Sequence, residues 1–319
     1  MSRRSFLCGT TVLGGTALLA GGAIAEPRSA GQTLPRRVLG RTKENVTAIA
    51  LGTWPCGMCQ TVDTAQASRI VQEALDLGIN YVDTARAYGK AEEAVGLALG
   101  TRRDQVFLTT KVWADTADEA KKSFEQSLRI LRTDHVDLLF LHSVGNRDVT
   151  KALGPDGALA YLLRQKEAGK TRFIGISGHS KVESFIPVIE TGHIDVVMMA
   201  MNFVDRHIYG FEEKVLPVAV RRNVGVACMK VFGGIRGTFA EAVNPNPGPQ
   251  IPTPRLEQAV RYALGLQGVA TLVIGPHTVE QLRQNVAFVK NYQPLSAEEQ
   301  TTLAKVGREL AAQWGEHYR

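Results

Sequence analysis

The sequence predicts a single-domain α/β protein, a (β/α)8 TIM barrel, following an N-terminal signal segment. Three observations predict the barrel. Short β-branched runs alternate with amphipathic segments about eight times, as a (β/α)8 barrel requires. Most of these runs are apolar on both faces, which suits a buried parallel sheet. None is followed by Gly-x-Gly-x-x-Gly, so the rival open doubly wound sheet lacks its phosphate loop. The 319 residues are 44% hydrophobic and 21% charged, which excludes global disorder, collagen, a small disulfide scaffold and a multi-span membrane protein. The net charge of +6 comes from Lys and Arg spread along the chain, not from a stripe, so nucleic acid is not expected as a partner.

Residues 1–25 read as a twin-arginine signal peptide. Arg3-Arg4 precede Phe6-Leu7, a mildly apolar Gly- and Ala-rich run extends from Leu7 to Ile24, and Ala23-Ile24-Ala25 forms a small-x-small cleavage pattern. This predicts cleavage after Ala25, the twin-arginine export machinery as a partner, and a periplasmic location. The apolar run is also about long enough for an uncleaved anchor helix. Cys8 stands at the start of this run, not after it, so no lipobox is visible. Residues 26–35, with Pro, Ser and Gly, form a loose segment, and residues 36–319 form the barrel with no further domain boundary.

The elements follow in order. Val46–Leu51 reads as the first strand; Ala65–Leu77, with Ile70, Val71, Ala74 and Leu75 at helical spacing, is a helix stopped by Gly78. Asn80–Val82 is a strand and Ala91–Leu99 a helix ended by Gly100. Strands at Val106–Leu108, His135–Leu141, Phe173–Ile176 and Val196–Ala200 alternate with helices at Ala117–Leu131, Lys151–Ala168, Lys181–Glu190 and Gly210–Arg222. Val224–Met229 and Thr271–Ile274 are the last strands, with helices at Arg255–Leu266, Val279–Val289 and Ala297–Ala312. The irregular stretch Gly237–Pro254 holds Pro245, Pro247, Pro249, Pro252 and Pro254; lying between a strand end and a helix, it belongs over the catalytic face.

Barrel enzymes carry their chemistry at the C-terminal ends of strands. Asp83 ends the second strand, followed by Tyr88; Lys111 follows the third, and His142 ends the fourth. Core packing does not explain four such side chains gathered at three strand ends. Cys56-x-x-Cys59 lies on the loop after the first strand. Its spacing suits a small disulfide, a redox pair, or half of a metal site completed by Cys228 or His179. No metal site is assigned.

The residues Leu39-Gly40-Arg41-Thr42, Ala50-Leu51-Gly52-Thr53-Trp54, and Asn80-Tyr81-Val82-Asp83-Thr84-Ala85 through Tyr88-Gly89 resemble the aldo-keto reductases, and the likeness runs from about Pro35 to about Val289. The resemblance implies a (β/α)8 barrel with a catalytic tetrad of Asp83, Tyr88, Lys111 and His142. It implies a monomer that reduces a small-molecule aldehyde or ketone by hydride transfer, with NADP(H) as the favoured cofactor and NAD(H) as the alternative. Tyr88 would give the proton, its pKa lowered by Lys111; Asp83 would hold Lys111, and His142 would orient the carbonyl. Gly52 and Thr53 join the implied cofactor residues. Ile274–Asn285 resembles the family's last strand and helix, where Gly275, His277, Gln281 and Asn285 would hold the adenosine phosphate end. Arg or Ser is common in relatives where His277 stands, and Arg283 is a further candidate there.

This chain departs from the family after its fifth and sixth strands. Ser177-Gly178-His179 replaces Ser-Asn, and Met198-Met199-Ala200-Met201-Asn202 replaces Gln-x-x-Tyr-Asn. Ser177 and Met198 are kept as cofactor-site candidates, with Met201 as a soft contact to the nicotinamide ring. Met229-Lys230-Val231-Phe232-Gly233-Gly234 departs from the commoner Ser-Pro-Leu and resembles a branch often joined to iron–sulfur modules, although the cysteine-rich module is absent. Substrate choice is expected from Trp54, Trp113, Phe203 and the Gly237–Pro254 loop. Two rival functions share this barrel: a nucleotide-binding sensor of low turnover, and a thiol redox protein using Cys56 and Cys59.

Overall fold

The first β-branched run is used twice. In a computed structural model, which describes residues 33–59, 62–234 and 248–318, Arg36–Val38 (β1) pairs antiparallel with Asn45–Thr47 (β2). The chain then breaks at Ala48, and Ile49–Gly52 (β3) enters the barrel. Thr47 makes the break: its Oγ1 donates to the Ile49 carbonyl at 2.7 Å, and its N–H donates to Asn80 Oδ1 at 2.7 Å. The hairpin therefore hangs beneath the strands, where Leu39 and Val46 join the apolar cluster inside the barrel. The approach is close, since a Cβ on Gly40 would lie 2.3 Å from the Gly225 nitrogen.

From there the expected alternation holds. Trp54–Met58 (α1) and Thr64–Asp76 (α2) precede Tyr81–Asp83 (β4) and Ala91–Leu99 (α3). Phe107–Val112 (β5), Ala117–Leu131 (α4) and Val136–Leu141 (β6) follow, then Val149–Ala152 (α5), Ala158–Glu167 (α6), Thr171–Gly178 (β7) and Phe185–Glu190 (α7). Val196–Ala200 (β8), Phe211–Lys214 (α8), Leu216–Arg221 (α9) and Gly225–Met229 (β9) lead to Leu256–Gly265 (α10), Val269–Ile274 (β10), Val279–Lys290 (α11) and Ala297–Trp314 (α12). The closed barrel runs β10-β3-β4-β5-β6-β7-β8-β9, every pairing parallel. Alternate strand residues face inward, where Tyr81, Phe107, Phe140 and Met198 pack; the others face the helices in a larger apolar layer.

Three expected elements differ, each for a local reason. The single helix at 151–168 is two, α5 and α6, because Gly154-Pro155-Asp156-Gly157 interrupts it: proline has no N–H to donate, and a Cβ on Gly157 would lie 2.4 Å from the Ala152 oxygen. The helix at 210–222 is likewise split between α8 and α9, where Pro217 sits in the first turn of the second. Helix α1 was not expected from the sequence; it winds over the Cys56–Cys59 segment, with Pro55 in its first turn. The twin-arginine peptide at 1–25, the loose segment up to residue 32, and residues 237–247 of the proline-rich loop lie outside the described residues. Among the described residues, no helix is long and apolar enough to cross a membrane.

Candidate active site

The parallel register sets the site. Gly52, Asp83 and Thr109 lie side by side on β3, β4 and β5. Thr109 Oγ1 donates to Asp83 Oδ1 at 2.8 Å. Two residues along β5, Lys111 also faces inward, and its ammonium donates to both Asp83 oxygens at 2.6 Å and to the Thr84 carbonyl at 2.8 Å. The pair is almost sealed from solvent, at 1% and 3% side-chain exposure. Burial drives the Asp83 carboxyl upward and the Lys111 ammonium downward in pKa; their mutual attraction opposes both shifts.

The loop after β4 turns back on itself, with the Tyr88 N–H donating to the Ala85 carbonyl at 3.0 Å. A Cβ on Gly57 would lie 1.7 Å from the Tyr88 oxygen, so only glycine lets α1 pass this loop. Glu92, fully buried, ties the loop to β5: it pairs with Arg86 and accepts from Thr110 Oγ1 at 2.7 Å. Tyr88 thereby rests above the ion pair, the Lys111 nitrogen 4.9 Å from its ring centre. The His142 ring, just past β6, meets it edge-on at 5.7 Å between centres, and Trp113 packs on His142 at 5.3 Å. The structure thus brings together all four residues expected at the strand ends.

Their charge states differ in one respect from the sequence-based expectation. Tyr88 is raised well above the ordinary phenol value, not lowered, by burial first and the Asp83 charge second. The reason is geometric: Lys111 spends its charge on Asp83, so little of it is left to favour a phenolate. His142 is held well below the usual imidazole value by burial, then by the charge of Lys111, with smaller contributions from His179, Arg147 and Lys230. At neutral pH the site therefore holds a protonated phenol and a neutral imidazole.

Asp83 and Tyr88 open onto a cavity of about 400 Å³ that reaches to the start of α11. Gly52, Met198, Gly275, His277, Gln281 and Asn285 line it, as does Gln284. Thr53 and Ser177 are buried outside that lining. Thr53 directs both its N–H and its Oγ1 to the Asp83 carbonyl, at 3.0 and 2.9 Å, and Ser177 Oγ accepts from the Ser143 N–H at 3.3 Å. Thr278 caps α11 by accepting from the Gln281 N–H, and Gln281 Oε1 accepts from the His277 N–H at 2.8 Å. Arg283 points away from the cavity and pairs with Glu73 at 2.8 Å.

Several finer expectations are corrected. Met201 lies in the apolar layer outside the barrel, 1% exposed; Met198 and Met229 line the cavity instead. Phe203 is likewise buried away from it, whereas Trp54 lines it. Gly178 is fitted to Phe185: a Cβ there would lie 2.8 Å from Phe185 Cζ. Cys56 and Cys59 form no disulfide; the turn of α1 packs both into the outer apolar layer, and burial pushes the Cys56 thiol up to about 12. Cys228 is buried as well, and no metal-holding group of three or more His, Cys, Asp or Glu occurs among the described residues.

The cavity also takes in Lys230, Phe232 and Gln284, which the sequence reading did not place there, and Gln250 from the proline-rich loop expected over this face. Lys230 stands directly after β9, the same strand-end position that drew attention to Lys111. Tyr318 completes the neighbourhood, packing with Ala200, Trp54 and Tyr209, its ring centre 5.3 Å from that of His179. Its hydroxyl donates to Asp205 Oδ2 at 3.0 Å.

The sequence matches the aldo/keto reductase family over residues 48–258, from just before β3 into α10. The L-galactose dehydrogenase of Arabidopsis thaliana is 27% identical over 301 residues, covering 83% of this chain and 91% of that protein. The methylglyoxal reductase DkgB of Salmonella typhi is 37% identical over a shorter 131 residues, 39% of this chain and 48% of its own. In structure, the holo form of aldo-keto reductase AKR11C1 from Bacillus halodurans superposes with a TM-score of 0.69 at 26% identity, covering 86% of this chain and 96% of that one. An aldo/keto reductase of Klebsiella pneumoniae in complex with NADP and acetate has a TM-score of 0.68 at 22% identity, over 90% and 99% of the two chains, a likeness of fold alone. Barrel, sequence match and near-full-length relatives agree, and the chain belongs to the aldo/keto reductase family of oxidoreductases.

Proposed function

We propose that the protein reduces an aldehyde or ketone to the alcohol, with NADP(H) as its favoured cofactor and NAD(H) as the alternative. The observation that carries this reading is the buried Asp83–Lys111 pair beneath Tyr88, with His142 against the same ring, at one end of a cavity whose other end is a helix N-terminus. When bound, the nicotinamide cofactor supplies a hydride to the carbonyl carbon.

The chain's own residues supply the rest. Negative charge develops on the carbonyl oxygen, and Tyr88, which holds its proton firmly at neutral pH, gives that proton to it. The phenolate left behind sits beside the Lys111 ammonium, and Asp83 keeps that cation fixed through two 2.6 Å bonds. His142, neutral, donates one N–H to the same oxygen and orients it. At the far end, α11 has twelve residues and begins with amides that have no acceptor within the helix, which suits a phosphate. Gln281, Asn285 and the half-buried His277 surround that terminus, and the thioethers of Met198 and Met229 give the inner wall a soft surface for a planar ring.

The test is titration with NADPH and NADH followed by a carbonyl screen, with Tyr88→Phe as control. The proposal expects nucleotide binding in both proteins and a loss of about 10²–10⁴-fold in turnover in the variant. Undiminished turnover by Tyr88→Phe would refute the assigned proton donor. We propose further that residues 1–25 export the folded protein to the periplasm, supported by Arg3-Arg4 and Ala23-Ile24-Ala25. A double Arg3→Lys, Arg4→Lys variant should then remain in the cytoplasmic fraction, and equal periplasmic recovery of the two proteins would refute export by this route.

A further inference from the structure

We propose that Lys230 is a specificity-determining residue and that the substrate carbonyl compound carries an anionic group, a carboxylate, which the Lys230 ammonium binds beside Tyr88. This rests on the reading of Tyr88 as proton donor, and it adds the class of substrate.

Two lysines lie near Tyr88 in opposite circumstances. Lys111 is matched by Asp83, so the pair presents little net charge. Lys230 lines the cavity, and its ammonium makes no hydrogen bond or ion pair with any described residue. It lies 5.5 Å from the centre of the Trp54 ring, at the cavity wall. The carboxylate that acts on it electrostatically is that of Asp205, which makes no ion pair with it and has one oxygen engaged elsewhere. Oδ2 accepts from Asn202 Nδ2 at 2.6 Å and from the Tyr318 hydroxyl, while Oδ1 lies 3.3 Å from His317 Nε2. The Lys230 side chain therefore reaches the cavity without an ion-pair partner among the described residues.

The backbone shows that this position is built. Lys230 has φ +59°, a left-handed conformation that a lysine rarely adopts. Two bonds converge on its carbonyl and hold it there: Asn202 Nδ2 donates at 2.9 Å and the Gly233 N–H at 2.8 Å. Asn202 is fixed in turn by accepting from the Val204 and Asp205 amides, both at 2.9 Å. The chain leaves β9 in a strained turn that carries the side chain to the cavity.

The anion could come from the substrate or from a phosphate of the cofactor, and the surroundings favour the substrate. The charge of Lys230 is felt at His142 and His179 and is opposed by Lys111, all at the Tyr88 end. The α11 terminus, with Gln281 and Asn285, forms the opposite end. The ammonium is also poised: burial, then repulsion from Lys111, set against attraction to Asp205, bring its pKa down to about 7. The titratable groups facing it are Asp205 after β8, Lys111 on β5, His142 after β6 and His179 after β7. A bound carboxylate would restore the charged form.

The experiment compares 4-carboxybenzaldehyde with its methyl ester, using the full-length protein and NADPH. In the wild type the acid should be preferred, its KM rising above about pH 7 while that of the ester does not. Lys230→Met should lower the acid-to-ester ratio of kcat/KM by roughly 10- to 100-fold, the cost of one hydrogen bond to a charged group; Lys230→Arg should recover much of it. An unchanged ratio would overturn the proposal. So would a parallel fall in NADPH affinity, which would give the anion to the cofactor. If neither aldehyde is turned over, the catalytic reading fails and this one is judged by binding. Terephthalate and terephthalamide are then titrated by tryptophan fluorescence, and selectivity for the dianion, lost in Lys230→Met, supports it. No selectivity in the wild type overturns it.

Discussion

Replacing Lys111 by Met tests whether the catalytic pair is an ion pair and not merely two neighbouring polar groups. The substitution keeps the aliphatic bulk and removes both 2.6 Å bonds to Asp83, leaving that carboxyl with the 2.8 Å bond from Thr109. Asp83 is 2% exposed, so water does not replace the lost donors. A buried charge stripped of its partner costs about 3–5 kcal/mol. The cost depends on pH. Burial already raises the Asp83 pKa and Lys111 opposes that rise, so in the variant it climbs further above the unfolded value of about 3.9. The unfolded chain then releases its proton first, and stability falls as pH rises from about 4 until the folded pKa is passed. The deficit at pH 8 should exceed that at pH 5 by about 1.4 kcal/mol for each unit by which the variant's Asp83 pKa exceeds both 5 and its wild-type value. Urea unfolding of wild type and variant at the two pH values measures it. Adding Asp83→Asn should recover most of the stability while turnover stays low. Equal deficits at pH 5 and pH 8, or a double variant no more stable than the single one, would refute the reasoning.

Other perturbations probe separate parts of the molecule. Burial pushes Asp205 up to about 7 against the bonds it receives from Tyr318 and Asn202, so its carboxylate lowers stability as pH rises from about 4 through 7; Asp205→Asn should flatten thermal stability across that window. Cys56 and Cys228, both buried and raised in pKa, should resist a thiol reagent until urea unfolds the chain, and Cys56→Ser should retain NADPH-dependent reduction. Rapid native labelling of Cys56 would revive the thiol redox alternative. Gly178→Ala should cost about 1–3 kcal/mol through contact with Phe185, with Phe185→Leu relieving it; a neutral single substitution in urea unfolding would show that the site has slack.

What the sequence made legible follows from the range of the forces involved. Helices Ala91–Leu99 and Ala117–Leu131 and strand Val196–Ala200 match their expected bounds because local periodicity and stop signals define them. The run Val46–Leu51 was read as one strand because its division depends on Thr47 meeting Asn80, a contact 33 residues away. The strand-end rule found Asp83, Lys111 and His142 because parallel register alone sends such positions to one face. It passed over Lys230, whose approach to the cavity depends on a left-handed turn held by Asn202. A motif puts Met201 at the cavity because it gives position along the chain alone; the pleat turns the side chain into the outer layer.

The fit between Gly178 and Phe185 also constrains the order in which this barrel can change. The family resemblance implies an asparagine where Gly178 stands. A side chain at 178 meets Phe185, which is fully buried, while a smaller residue at 185 with glycine still at 178 leaves a void. Both intermediates are less stable than either end. A void costs stability without pushing on β7, whereas a clash at 178 displaces the strand end that leads to His179 in the cavity wall. A lineage moving between the two arrangements one substitution at a time, while keeping its activity, is therefore expected to change residue 185 before it gains a side chain at 178, and to lose them in the reverse order.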